Sequence, residues 1–204
     1  MTGSNFLFEA EGTKILIDCG LFQGRKIRDD RNFEPFPYNP KEISALFVTH
    51  AHMDHTGRIP RLVRHGYKGP IYSTLPTKRI SEVMLEDSLG IFEKESKDDN
   101  LPLVYEEPDI ASSMRLWKTV SYHQPVSVGP FSVVFRDSGH ILGSAMIEIT
   151  YNGKKIIFTS DLGNSPASLL KDTEIVTDAD YLVMESVYGD RNHEPHEERK
   201  KRME

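Results

Sequence analysis

The chain has a single cysteine, Cys19, in 204 residues. One thiol excludes an internal disulfide framework and fits a reducing compartment. No apolar run approaches the ~20 residues that span a bilayer, so no contact with a membrane is expected. Met1-Thr2-Gly3-Ser4-Asn5 has neither the basic region nor the apolar stretch of a secretory signal. Positive charge is not in excess either: 25 Lys and Arg against 31 Asp and Glu give a formal net charge of −6. That excludes a generally basic nucleic-acid binder, but not an enzyme whose bound metal supplies positive charge locally. Internal repeats and low-complexity segments are also missing. What is there, 38% hydrophobic and 27% charged, is the composition of a globular protein long enough to bury a core unaided. Together these features lead us to expect a soluble, cytoplasmic protein.

Apolar patterning predicts a layered α/β domain with antiparallel pairing in at least one part. Lys14-Ile15-Leu16-Ile17-Asp18, closed by Cys19-Gly20, and Ile43 to Thr49, closed by His50, read as buried strands. Thr56-Gly57 can cap a helix with Ile59, Leu62 and Val63 on one face, ending at Gly66. Ile71 to Ser73 reads as a short strand. From Pro76 to about Lys97 the period is helical, with Ile80, Val83, Met84 and Ile91 on one stripe, and Asp87 falls on that same stripe. A second helix opens with Pro108 and carries Ile110, Met114 and Trp117 on a common face. Phe131, Val133 and Phe135 then alternate with smaller or polar residues, and Asn152-Gly153 joins Met146–Tyr151 to Lys155–Ser160 as a hairpin. Tyr181 to Met184 predicts another strand, ending at Glu185, and the charged stretch from Asp190 predicts a surface helix.

Chemistry concentrates in His50-Ala51-His52-Met53-Asp54-His55, which packs three imidazoles and a carboxylate between a strand and a helix. Imidazole nitrogen and carboxylate oxygen suit zinc, and ligands this close in sequence can surround a metal from a loop. In an extended stretch residues 50 and 52 point the same way, while 54 and 55 turn toward a second position. Asp18, His140 and Asp161 each stand at the end of a predicted strand or in the loop that follows. With the histidine cluster, these give six candidate ligands, His50, His52, Asp54, His55, His140 and Asp161, enough for most of a two-metal site. Asp87, a carboxylate on an apolar stripe, needs a partner, which makes it a candidate support for the metal loop. Other histidines read as ordinary: His65 in the last turn of a helix, His123 in a polar turn, His193 and His196 in the charged tail. Cys19 reads as a buried structural residue.

In order, Asp18, the His50–His55 cluster, His140 and Asp161 resemble the first four motifs of the metallo-β-lactamase fold. Gly20-Leu21-Phe22-Gln23-Gly24, Gly139-His140-Ile141-Leu142-Gly143-Ser144 and Ser160-Asp161-Leu162-Gly163 are similar to the β-CASP nucleases within it, which process RNA or, in some members, DNA. Glu185-Ser186-Val187-Tyr188-Gly189-Asp190-Arg191-Asn192-His193 resembles the acidic motif at the start of that family's inserted domain, with Val187 where Thr is usual.

The resemblance implies an αββα sandwich, with residues 1–189 as a partial metallo-β-lactamase domain and 190–204 as the beginning of the inserted domain. It implies that His50, His52 and His140 hold one zinc, that Asp54 and His55 hold another, and that Asp161 bridges them. Asp18 would orient the histidine loop, Asp54 would also orient the attacking water, and Glu185 would pair with a histidine supplied from further along. The family's opening strand and two later histidine motifs are expected to be absent from these residues. The second zinc would then be short of one imidazole, and the general acid would lie outside the chain. The expected activity is zinc-dependent hydrolysis of RNA phosphodiester bonds, with DNA as the other substrate and homo-oligomerisation open to a longer parent. Two alternatives share the fold: a small-substrate hydrolase of the thioesterase kind, and a catalytically silent zinc-binding fragment.

Overall fold

The computed structural model describes residues 3–23, 29–99, 102–164, 166, 169–187 and 189–190. The helix expected from Asp190, His193 and His196, and the unit expected over 190–204 lie outside the described residues, Asp190 excepted. Gly24, Tyr188 and Arg191-Asn192-His193 of the quoted motifs also fall outside them.

Two five-stranded sheets pack face to face among the described residues. In the first, β1 (Phe6–Ala10) pairs antiparallel with β2 (Thr13–Ile17), and β3 (Ile43–Phe47), β4 (Ile71–Ser73) and β5 (Trp117–Thr119) follow in parallel. Parallel neighbours need crossovers, and helices supply them. Between β3 and β4 lie α1 (Met53–Thr56) and α2 (Ile59–Arg64); between β4 and β5 lie α3 (Leu75–Asp99) and α4 (Glu107–Leu116). The second sheet runs antiparallel through β6 (Val126–Val128), β7 (Phe131–Asp137), β8 (Ala145–Tyr151) and β9 (Lys154–Phe158); β10 (Tyr181–Val183) joins β9 in parallel. The β8–β9 turn is Asn152-Gly153, both at positive φ (47° and 73°), as a two-residue hairpin requires.

Residues of β2 and β3 are buried on both faces, which is why they read as unbroken apolar runs. Ile15, Ile17, Ala45 and Phe47 face Phe131, Val133, Phe135 and Ile147 of the second sheet. Leu16, Leu46 and Val48 point the other way, onto Ile59 and Leu62 of α2. Each such side chain contributes roughly 1.5–3 kcal/mol on burial. The order of layers among the described residues is helix, sheet, sheet. The outer face of the second sheet carries the Arg136–Glu148 ion pair at 3.1 Å.

Four sequence expectations need correction. β1 was not anticipated: it is an edge strand with Phe6 and Leu7 exposed, so it lacks the alternation of a half-buried strand. Trp117 begins β5 instead of continuing α4, and its Nε1 donates to Ser73 Oγ at 2.8 Å across the β4–β5 pair. Thr56 ends α1 instead of capping α2; its hydroxyl donates back to His52 O at 3.0 Å. Asp87 is exposed, as are Val83 and Ile91. The inner face of α3 instead runs through Thr77, Ser81, Leu85, Ser88, Leu89 and Phe92, so Asp87 stands on the solvent side and does not support the metal loop.

Candidate metal centre

The ends of β2, β3, β7 and β9 meet at one edge of the sandwich. From β3 the chain continues through Thr49 to His50, stays extended at His52 (φ −63°, ψ 147°), and then makes the single turn of α1. That turn brings the His55 ring beside His50, with centroids 4.1 Å apart. Gly20 makes the approach possible: a Cβ there would collide with the Asp54 carbonyl oxygen and stand 2.8 Å from the His55 nitrogen. Gly20→Ala is therefore expected to cost about 1–3 kcal/mol or more, since backbone and not a movable side chain blocks the space. A urea unfolding midpoint equal to that of the parent chain would count against this packing.

From β7 the chain enters Ser138-Gly139-His140, and from β9 it enters Ser160-Asp161. The two loops are joined by Gly163 N–H donating to Ser138 O at 2.8 Å. Ser144 Oγ accepts from the backbone N–H groups of His140 (3.1 Å) and Ile141 (3.2 Å). Thr74 and Thr77, at the start of α3, donate their hydroxyls to Gly143 O at 2.7 and 2.9 Å. The His140 loop is thus pinned by the start of α3 and by the Asp161 loop as well as by its own Ser144.

One ligand atom from each of His50, His52, His140 and Asp161 falls within 4.8 Å of all the others. His50 Nε2 and His140 Nε2 lie 3.0 and 3.2 Å from His52 Nδ1, and 3.7 and 3.5 Å from Asp161 Oδ2. A tetrahedron with metal–ligand bonds of about 2.0–2.1 Å has edges of about 3.3 Å, so this donor set fits a tetrahedral ion. Asp54 and His55 stand outside that group of four. His55 Nε2 lies 3.5 Å from Asp161 Oδ1 and 3.9 Å from Asp54 Oδ2, which brings a second, three-residue set around the same Asp161.

Electrostatics follow from burial and these contacts. Burial, reinforced by the neighbouring His55, pushes His50 down to about 2, and burial with His140 lowers His52, so both favour the neutral form that a metal needs. At His55 burial acts in the same sense, but Asp18 and Asp161 outweigh it and raise the imidazole to about 10. The His55 hydrogen bond holds Asp161 down at about 2.

Asp18, 1% exposed, accepts from Thr49 N at 2.8 Å through Oδ1, and from Thr49 Oγ1 at 2.9 Å and His55 Nδ1 at 2.7 Å through Oδ2. Glu185 Oε1 accepts from Leu162 N–H at 2.6 Å, directly after Asp161. A cavity of about 370 Å³ opens beside Asp54, His55, Asp161 and Glu185, with Phe6 and Phe158 on its apolar side. His65 caps α2 against Phe36, and His123 is exposed between Arg136 and Glu174, as ordinary readings of both require. Cys19 is buried, burial pushes its thiol up to about 12, and it stands outside the group of four ligand atoms. Sequence reading missed Arg58, whose Nε donates to Gly20 O at 2.8 Å while the guanidinium stacks on Phe22 and Phe36. A buried arginine there leaves no periodic signal.

Residues 7–187 match the family described as the metallo-beta-lactamase superfamily domain. The chain belongs to the metallo-beta-lactamase superfamily. Among curated relatives it is 37% identical to Ribonuclease TTHA0252 of Thermus thermophilus, over 97% of this chain and 44% of that protein. It is 32% identical to Cleavage and polyadenylation specificity factor 73 of Drosophila melanogaster, over 98% of this chain and 29% of that protein. Against Transcription termination factor FttA of Methanosarcina mazei, identity is 31% over 93% of this chain and 30% of that protein. The chain spans less than half the length of each of these relatives. The resemblance of its motifs to the β-CASP branch of the superfamily agrees with them. No helix among the described residues is long and apolar enough to cross a membrane.

Proposed function

We propose that this superfamily member is the metal-binding part of a zinc-dependent ribonuclease of the β-CASP kind. The observation that carries the reading is the four-atom group of His50, His52, His140 and Asp161, with Asp161 also reaching His55. Three imidazole nitrogens and a carboxylate oxygen at tetrahedral spacing favour zinc over harder ions. Zinc bound there supplies Lewis acidity toward a phosphoryl oxygen and brings the pKa of a water close to neutrality.

The chain's own residues do the remaining work. Asp54, half-buried on the cavity side, orients the attacking water and accepts its proton. Asp161 joins the two ligand sets. Glu185 keeps the loop after Asp161 in place through Leu162 N–H. The cavity wall carries Asp18, Asp54, Asp161 and Glu185, four carboxylates that repel a phosphodiester, so a phosphate substrate fits this wall only together with cations. The name of Ribonuclease TTHA0252 among the relatives supports RNA as that substrate. The same reading takes residues 1–189 as the metallo-β-lactamase part, 190–204 as the start of the inserted domain, and the cytoplasm as the site of action.

The test is Asp54→Ala, with zinc content measured by elemental analysis and cleavage followed on a labelled RNA. Cleavage is expected to fall about 10²–10⁴-fold, as for loss of a group that handles the proton. The ion held by His50, His52, His140 and Asp161 is expected to stay. Undiminished RNA cleavage in the variant, or turnover of a thioester but not of RNA by the parent chain, would overturn the proposal.

A further inference from the structure

Thr49 lies between the buried carboxylate and the histidine cluster, and its hydroxyl has more neighbours than one hydrogen can serve. Oγ1 is 2.9 Å from Asp18 Oδ2, 3.1 Å from His50 Nδ1 and 2.8 Å from Ser160 Oγ. A carboxylate oxygen only accepts, so the Thr49 hydrogen goes to Asp18. The remaining lone pairs of Oγ1 can then only accept, and His50 Nδ1 must carry the hydrogen that reaches them. The bare nitrogen of His50 is therefore Nε2, the atom that faces His52 and Asp161. Asp18 Oδ2 also takes His55 Nδ1–H directly at 2.7 Å, so Nε2 is the nitrogen that His55 turns toward Asp161 and Asp54 and the one that would give up its proton to a metal.

We propose that Thr49 is a positioning residue that relays Asp18 to His50, so that one buried carboxylate fixes the tautomers of two histidines in two different ligand sets. The inference rests on the reading of the cluster as a metal centre, and it deepens that reading. Ser160 is a weaker second partner, with Oγ at 3.3 Å from His50 Nδ1. Backbone geometry marks the same network: Asp18 (φ 58°) and Ser160 (φ 51°) are both non-glycine residues in the left-handed region, a conformation kept where the surroundings over-determine it.

Thr49→Val keeps shape and removes the hydroxyl; Thr49→Ser restores it. Long-range ¹H–¹⁵N correlation spectra of the metal-free 204-residue chain read the His50 tautomer without any metal. The parent and Thr49→Ser are expected to hold the hydrogen on Nδ1, and Thr49→Val to shift toward Nε2–H. Competition of zinc against a chelator is expected to show a 10–100-fold weaker affinity in Thr49→Val, the size of effect of lost support to a ligating histidine, and recovery in Thr49→Ser. An Nε2–H tautomer in the parent chain overturns the relay even if Thr49→Val does not fold. A folded Thr49→Val with the parent's tautomer and zinc affinity overturns it as well. If the parent chain binds no zinc at all, it is the metal reading that fails, and the tautomer measurement still decides the relay.

Discussion

Asp161→Ala is expected to strip metal from both ligand sets while leaving the chain folded. Its carboxylate is the one group shared between them: Oδ2 lies 3.7 and 3.5 Å from the Nε2 atoms of His50 and His140, and Oδ1 lies 3.5 Å from His55 Nε2. Without it the first set falls to three imidazoles and the second to His55 and Asp54. The loss should exceed the 10–100-fold seen when only the support of a ligand is removed. The fold has less to lose, because the Asp161 side chain is 30% exposed at the mouth of the cavity and buries little apolar surface. Metal that binds only the native state stabilises it by about 4.1 kcal/mol at a thousandfold excess over Kd. At about 2–4 °C per kcal/mol for a chain of this size, zinc should raise the Tm of the parent by roughly 8–16 °C. In Asp161→Ala that rise should nearly vanish while the metal-free Tm stays close to the parent's. A variant that keeps both its zinc and the zinc-dependent rise in Tm would show that Asp161 is not the shared ligand.

The parts of the site that were legible in the sequence are those that chain continuity brings together. The His50–His55 cluster is compact, and the strands before Asp18 and His50 are buried on both faces at their ends, so apolar runs end abruptly at polar residues. The second sheet was legible through the alternation of Phe131, Val133 and Phe135 and through Asn152-Gly153. Short strands at margins were not: β1, β5 and β6 are three to five residues long and partly exposed, so neither alternation nor a run develops. The face of α3 was misread for a chemical reason. Thr77, Ser81 and Ser88 are buried on its inner side, while Val83 and Ile91 point outward, so hydropathy rotates the stripe and brings Asp87 with it. Thr49 and Ser160 were missed because hydroxyl residues are common and their meeting, 111 positions apart in the chain, exists only once the two sheets have packed.

That packing ties the stability of the fold to the centre itself. The Thr49 carbonyl accepts from Ala145 N–H at 2.8 Å, linking the end of β3 to the start of β8, and Thr49 also donates twice to Asp18. The residues that orient the imidazoles are thus the same ones that join the sheets. Changes to the buried support should show in unfolding as well as in metal binding, whereas changes to the exposed ligands should show in metal binding alone.

Asp18→Ala is where that difference should be largest. The substitution leaves Thr49 N–H, the Thr49 hydroxyl, His55 Nδ1–H and the more distant Ser4 hydroxyl without their acceptor at a position that is 1% exposed. Breaking a buried, hydrogen-bonded charge pair on one side costs about 3–5 kcal/mol, against a total stability of about 5–15 kcal/mol for a typical domain. Backbone strain adds to it, since residue 18 sits at φ 58°, where aspartate is tolerated better than alanine. Urea unfolding of the metal-free chain should therefore show a large drop in stability, and thermal unfolding a fall of roughly 6–20 °C at about 2–4 °C per kcal/mol. Asp18→Asn separates shape from charge: it keeps the left-handed tolerance and one acceptor oxygen, but turns an N–H₂ toward groups that are themselves donors. It should lose less stability than the alanine variant yet still bind zinc about 10–100-fold more weakly, because His55 and His50 lose the acceptor that fixes their bare nitrogens. A metal-free Asp18→Ala chain within about 1 kcal/mol of the parent would contradict this, because a buried carboxylate with four donors aimed at it cannot be removed so cheaply unless water or another acceptor replaces it.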